Sequence, residues 1–199
     1  MKGLLKKDLR WVFRSWYFWL SQAVFGVQFL AYIRIEDFQP VPVFLDIGCI
    51  FALCAALIVL SEDERSRWQS YCLTLPCTGK DYVSGKYLLH LLLLGIILVE
   101  VIAFWLLWGA WIGIALAPML CHATVIVLFS TAICLPLTFR FGEYGSLAFF
   151  VAFLLPAWLV GSDLMGQMVL TLAALGLFAL SWPVSIHWYS LRWQKGKIG

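Results

Sequence analysis

Charge-free runs dominate the hydropathy pattern of this chain. They cover Ser15–Ile33, Ile47–Ser61, Tyr87–Val99, Val101–Phe139, Tyr144–Ser162 and Leu164–Leu191. A helix needs about 20 mostly apolar residues to cross a bilayer. The fourth run is too long for one crossing, and Gly109, Gly113 and Pro118 break it. The pattern therefore predicts six transmembrane helices, at about 15–33, 41–61, 84–108, 119–138, 145–161 and 167–187. The expected fold is all-α and polytopic, a single membrane domain over residues 1–199. The first apolar run is as long as a span and no small-residue cleavage site follows it, so a cleavable signal is not expected.

Ahead of the first span, residues 1–14 read as a basic amphipathic interface helix. Leu5, Leu9, Val12, Phe13 and Trp16 share one helical face, while Lys6, Lys7, Arg10 and Arg14 project elsewhere. Such a helix is expected to lie on an anionic membrane surface. Trp11, Trp16, Trp19, Trp105, Trp108, Trp111, Trp182, Trp188 and Trp193 fall near predicted helix ends, where an indole ring prefers the wet interface.

Composition agrees with the pattern. The chain is 63% hydrophobic and 13% charged, with a mean hydropathy of +0.91, whereas soluble domains carry about 25% charged residues. Thirteen of the 14 basic residues fall on one side of the predicted topology, and only Arg34 falls on the other. The positive-inside bias places both termini in the cytoplasm and the chain in the inner (plasma) membrane. The net charge of +3 thus reflects topology. No basic patch interleaved with aromatics on a soluble surface points to nucleic acid.

One polar stretch interrupts this chain most sharply. Ser61 to Lys86 holds eight charged residues: Glu62, Asp63, Glu64, Arg65, Arg67, Lys80, Asp81 and Lys86. Ser61 with Glu64, and Thr78 with Asp81, each have the spacing of a capping box, and Pro76 lies between them. The expected form is helix, break, helix at the membrane surface, a rigid elbow carrying Trp68, Tyr71 and Leu75, whose apolar rings and side chain need something to pack on. A flexible linker would be rich in Gly and Ser.

These residues carry a resemblance. The opening MKGLLKKDL, the acid-rich exit Glu62-Asp63-Glu64 leading to Trp68 and Tyr71, and Leu75-Pro76 followed by Tyr82-Val83 and Gly85-Lys86-Tyr87 resemble the small permeases of the ABC-2 type family. The resemblance implies a membrane subunit of an ATP-binding-cassette exporter. It would pair with a second permease subunit, identical or related, above two ATPase subunits. Residues 61–86 would be the cytoplasmic coupling segment, with Glu62, Asp63, Glu64, Arg65, Trp68 and Tyr71 at the ATPase contact. ATP and Mg would be bound by the partner. The short external stretch from Gly161 to Gly166 leaves no room for an external lid, which leans towards peptides or other amphipaths as cargo.

Chemistry within the chain is sparse. Gly79-Lys80, Gly85-Lys86 and Gly196-Lys197 lack the upstream Gly and following Ser or Thr of a phosphate-binding loop. Cys49, Cys54, Cys72, Cys77, Cys121 and Cys134 form no C-x-x-C, and His90, His122 and His187 form no H-E-x-x-H, so no catalytic set and no metal site is expected. Glu100 lies about 24 Å along the third span, counted from Ser84. A charge at that depth is costly unless paired, protonated or wet. It reads either as a structural hydrogen-bonding group or as a pore or substrate position, together with Gln22 and Gln28 in the first span. Two other classes of function remain open: a secondary transporter coupled through Glu100, and a membrane anchor for a cytoplasmic partner.

Overall fold

The computed structural model describes residues 2–16, 18–20, 22–24, 26–27, 41–66, 68, 71, 78–109, 115–142, 152 and 164–196. The described residues are helical wherever they are regular. Helix α1 is Lys2–Arg14, α2 is Val41–Arg65, α3 is Gly79–Phe104, α4 is Leu116–Phe141 and α5 is Leu164–Gly196. A π-helical turn, Trp105–Gly109, extends α3.

Three helical segments, Gly79–Leu107, Leu116–Phe141 and Leu164–Leu191, are long and apolar enough to cross a membrane. They contain the third, fourth and sixth expected spans, apart from the last residue of the third at 108. The second expected span lies inside α2. Residues 18–20, 22–24 and 26–27 are helical within the first. Ser15 and Trp16 of that span are also described; the rest of the first span, and the fifth except Ala152, lie outside the described residues.

Local sequence explains the helix ends. The capping box at the start of α3 forms as its spacing predicts. The Asp81 amide donates to Thr78 Oγ1 at 3.2 Å, and the Thr78 amide donates back to Asp81 Oδ2 at 3.0 Å. The corresponding expectation at Ser61 is corrected. No helix restarts there: α2 runs through to Arg65, and Ser61 Oγ donates to the Ile58 carbonyl at 3.0 Å. Ser61 sits four residues inside an unbroken helix, so its backbone donors are already used and the hydroxyl turns back to the preceding turn. The α2 end is closed instead by Ser66, whose amide and hydroxyl both donate to the Glu62 carbonyl.

Helix α4 is the centre of the packing. Of its most apolar stretch 67% is buried, against 17% for α5. Met119, Ala123, Ile126 and Val127 meet Leu53 and Leu57 of α2 and Leu94, Ile97 and Val101 of α3. Thr131 and Thr138 return their hydroxyls to the carbonyls of Val127 and Cys134, which keeps these buried polar groups satisfied around Pro136.

A second core closes the end of the bundle where α3 begins. It joins Leu4 of α1, Leu60 of α2, Tyr82, Val83 and Tyr87 of α3, Leu135 and Phe139 of α4, and Tyr189 of α5. Tyr82 stacks on Tyr189 with ring centroids 5.3 Å apart, and Phe139 meets both rings edge-on. Polar side chains fasten α3 to α5 beside them. Tyr87 Oη donates to Ser181 Oγ at 2.9 Å and lies 2.8 Å from Ser185 Oγ, and Trp182 Nε1 donates to Ser84 Oγ. Such bonds matter where lipid removes the hydrophobic drive for helix association.

Helix α1 also packs against the bundle, by a stripe that only partly overlaps its expected apolar face. Its buried face is Leu4, Asp8, Val12 and Ser15, whereas Phe13 and Trp16 are exposed and Leu5 and Leu9 are half-buried. The helix docks against α2 and α3, with Val12 packed among Ala56, Val59, Leu89 and Leu93.

Helix α3 lies tight against α5 at Gly79, where an added Cβ would lie 2.9 Å from Tyr189 Cε1. Gly79→Leu should therefore lower the melting temperature in detergent, by the equivalent of about 1–3 kcal/mol. Gly85→Ala, whose new methyl meets nothing within 4 Å, should leave it unchanged or raise it. Equal melting temperatures for wild type and Gly79→Leu would contradict the packing described.

Candidate functional site

The expected contact segment begins at the end of α2, directly over a cluster of buried charges. Asp8 and Lys7 come from α1, Asp63 from α2, and Lys86 and Tyr82 from α3. Lys86 Nζ donates to Asp63 Oδ2 at 2.6 Å and to Asp8 Oδ2 at 2.8 Å. Lys7 Nζ bridges the other oxygens of the same two carboxylates, bonding Asp63 Oδ1 and lying 3.2 Å from Asp8 Oδ1. Tyr82 Oη donates to Asp63 Oδ2 at 3.1 Å. Two cations face two anions, so the cluster is neutral. Lys86 is 1% exposed, Asp8 2% and Asp63 4%.

This arrangement follows from burial. A single carboxylate or ammonium at such a place would cost several kcal/mol. Sharing the charges among three helices satisfies most of their hydrogen-bonding capacity and ties the helices to one another. The His90 ring nitrogen Nδ1 lies 2.9 Å from the Lys86 carbonyl, one turn further into α3.

The expected contact residues sit around this hub in different ways. Asp63 turns inward and is held by Lys7, Lys86 and Tyr82. Glu62 and Glu64 are half-buried, and Arg65 and Tyr71 are exposed. Trp68 is half-buried. Its ring lies under Lys7 Nζ at 4.3 Å and 5.2 Å from the Tyr71 ring, and it packs against the second core. The expectation that Trp68 needs a packing surface is met by α1. Residues 72–77 of the elbow, with Leu75 and Pro76, lie outside the described residues.

Glu100 is partly buried on α3 and hydrogen-bonded to Gln22. The two polar positions singled out along the first and third expected spans are thus brought together. Gln28 lies outside the described residues. Cys49, Cys54, Cys121 and Cys134 are free thiols. Among the described residues no group of three His, Cys, Asp or Glu side chains is placed to hold a metal ion.

Lys7, Asp8, Tyr82 and Lys86 fall in segments the sequence marks, but hydropathy and motif spacing do not show that they meet. One signal in the sequence does point to them. Asp8 is the first acid of the chain, the next being Glu36, and it shares a helical register with Leu4 and Val12. An acid on the inward stripe of a basic helix requires a buried cation opposite it.

The long apolar helices and the absence of strands among the described residues define a helical membrane protein. The model of the ABC-2 family transporter proteins matches residues 3–190. The match spans nearly the whole sequence, and the chain belongs to the ABC-2 transporter family, the membrane components of ABC transporters. No curated protein and no solved structure matches the chain.

Replacing Lys86 by Met removes one cation and leaves Asp8 and Asp63 sharing Lys7. That change should destabilise the folded chain by about 3 kcal/mol or more. Adding Asp8→Asn to Lys86→Met restores neutrality and should recover part of the loss. Thermal melting in detergent reads both, and a single mutant as stable as wild type would show that the buried pairs are not formed.

Proposed function

We propose that this chain is the membrane-spanning permease subunit of an ABC exporter, coupling ATP hydrolysis by a separate ATPase to the export of a peptide or other amphipathic substrate. The observation that carries the reading is the family match over residues 3–190. In this reading the chain hydrolyses no ATP, and ATP and Mg are held by the partner ATPase. Six spans run through the plasma membrane with both termini cytoplasmic, and a second permease subunit, identical or related, completes the pathway.

The coupling surface in this proposal is formed by Glu62, Glu64 and Arg65 at the end of α2, with Trp68 and Tyr71 just beyond it. Asp63 contributes from beneath, as the residue that fixes the α2 end to α1 and α3. The hub supports the reading for a mechanical reason. A contact that is to move a transmembrane helix must not yield at its own base, and three helices joined by buried ion pairs form such a base. ATPase closure would then shift α1, α2 and the start of α3 together. Glu100, Gln22 and Gln28 are the polar positions proposed for the cargo path.

The tagged full chain, purified in mild detergent from its native membrane, should retain an ATPase of the ABC type. Glu64→Ala and Trp68→Ala should each reduce stimulation of that ATPase several-fold while membrane insertion is unchanged. Wild-type coupling in both mutants would move the contact elsewhere, and a chain that retains no ATPase would remove the exporter reading.

A further inference from the structure

The outward side of α1 differs in chemistry from its inward side. Lys6, Arg10 and Arg14 recur every four residues and form one stripe. With Gly3, Lys7, Trp11 and Ser15 they line a cavity of about 720 Å³. Its described lining contains four cations and no carboxylate. Lys7 is committed to Asp8 and Asp63. Lys6, Arg10 and Arg14 are exposed, and among the described residues no acid pairs with them.

A third stripe flanks this one. Phe13 and Trp16 project from it, and Trp19 comes next, its indole N–H donating to the Phe13 carbonyl at 2.8 Å. All three rings are substantially exposed, Trp16 at 73%. Exposed indoles beside a run of basic residues match the headgroup depth of a bilayer, where the ring is half wet and the cation meets phosphate. The inward stripe is fully engaged with α2 and α3, so α1 cannot roll to bring these cations against the bundle.

We propose that this cavity binds the phosphate of an anionic phospholipid headgroup. Two guanidinium groups and an ammonium converge on one space, and guanidinium favours phosphate through paired N–H donors. The acyl chains would leave past Phe13 and Trp16. The inference does not depend on the ATPase reading, since it requires only that α1 lie at the membrane surface.

The full chain, purified in a neutral detergent, is titrated with phosphatidylglycerol and with phosphatidylcholine of the same acyl chains, and retained lipid is counted by native mass spectrometry. Phosphatidylglycerol should be retained at least about tenfold more tightly. The Arg10→Gln/Arg14→Gln double variant, which leaves Leu4, Asp8 and Val12 in place, should lose about thirtyfold, with Arg10→Lys/Arg14→Lys falling between it and wild type, since the charge is kept and the paired donors are lost. Millimolar inorganic phosphate should not displace the lipid. Equal retention of the two lipids, or unchanged retention in the Gln double variant at an unchanged melting temperature, would overturn the proposal. Full displacement by inorganic phosphate would also overturn it and assign the cavity to a free phosphate.

Discussion

Lys86, Asp8 and Asp63, buried where α1, α2 and α3 meet and joined by half-buried Lys7, set the terms for the rest of this structure. None of the three buried charges is tolerable alone at that depth, and each is stabilised by groups on another helix. Lys86 reaches Asp8 across 78 residues of sequence and Asp63 across 23. The amphipathic helix at the start of the chain is consequently part of the bundle. Its Asp8 cannot leave without removing one of the two carboxylates on Lys86, and Lys7 cannot leave without giving up its bond to Asp63 and its contact with the Trp68 ring.

The aromatic core beside the hub extends this tie to the remaining described helices. Tyr82 holds Asp63 through its hydroxyl and stacks on Tyr189 through its ring. One residue thereby links the charge cluster to α5, and Phe139 brings in α4. In the proposed exporter, a push delivered at the end of α2 would reach α1 through Lys7 and Asp8, α3 through Lys86, and α4 and α5 through Tyr82. Elsewhere in the bundle, Tyr87 bonds Ser181 and Ser185, Trp182 bonds Ser84, Ser130 donates to the Ala152 carbonyl, and Glu100 bonds Gln22.

Hydropathy alone located α3, α4 and α5, because a long run without charge has few other stable forms in a membrane. The Thr78–Asp81 cap was equally legible, since both partners lie within one turn and need no tertiary context. The same rule failed at Ser61 because the helix before it did not stop, and a capping box matters only where donors are unpaired. The hub could not be read directly. Its bonds join residues far apart in sequence, and Lys86 looks like one more topogenic charge until the cation is found 1% exposed between two carboxylates. In α1, counting apolar positions marked the face of Leu5, Leu9, Phe13 and Trp16 and left the stripe of Leu4 and Asp8 unmarked. Packing chose the adjacent stripe because Asp8 lies on it and finds its counter-charge there.

The central claim is that buried ion pairs bind α1 to α2 and α3 as one unit. Hydrogen–deuterium exchange of the α1 backbone in wild type and Lys86→Met tests it most directly, under conditions where α4 remains equally protected in both. Loss of the hub should release α1, so that its amides exchange many-fold faster in the mutant. Unchanged protection of α1 would contradict the claim and show that apolar contacts at Leu4 and Val12 hold the helix by themselves.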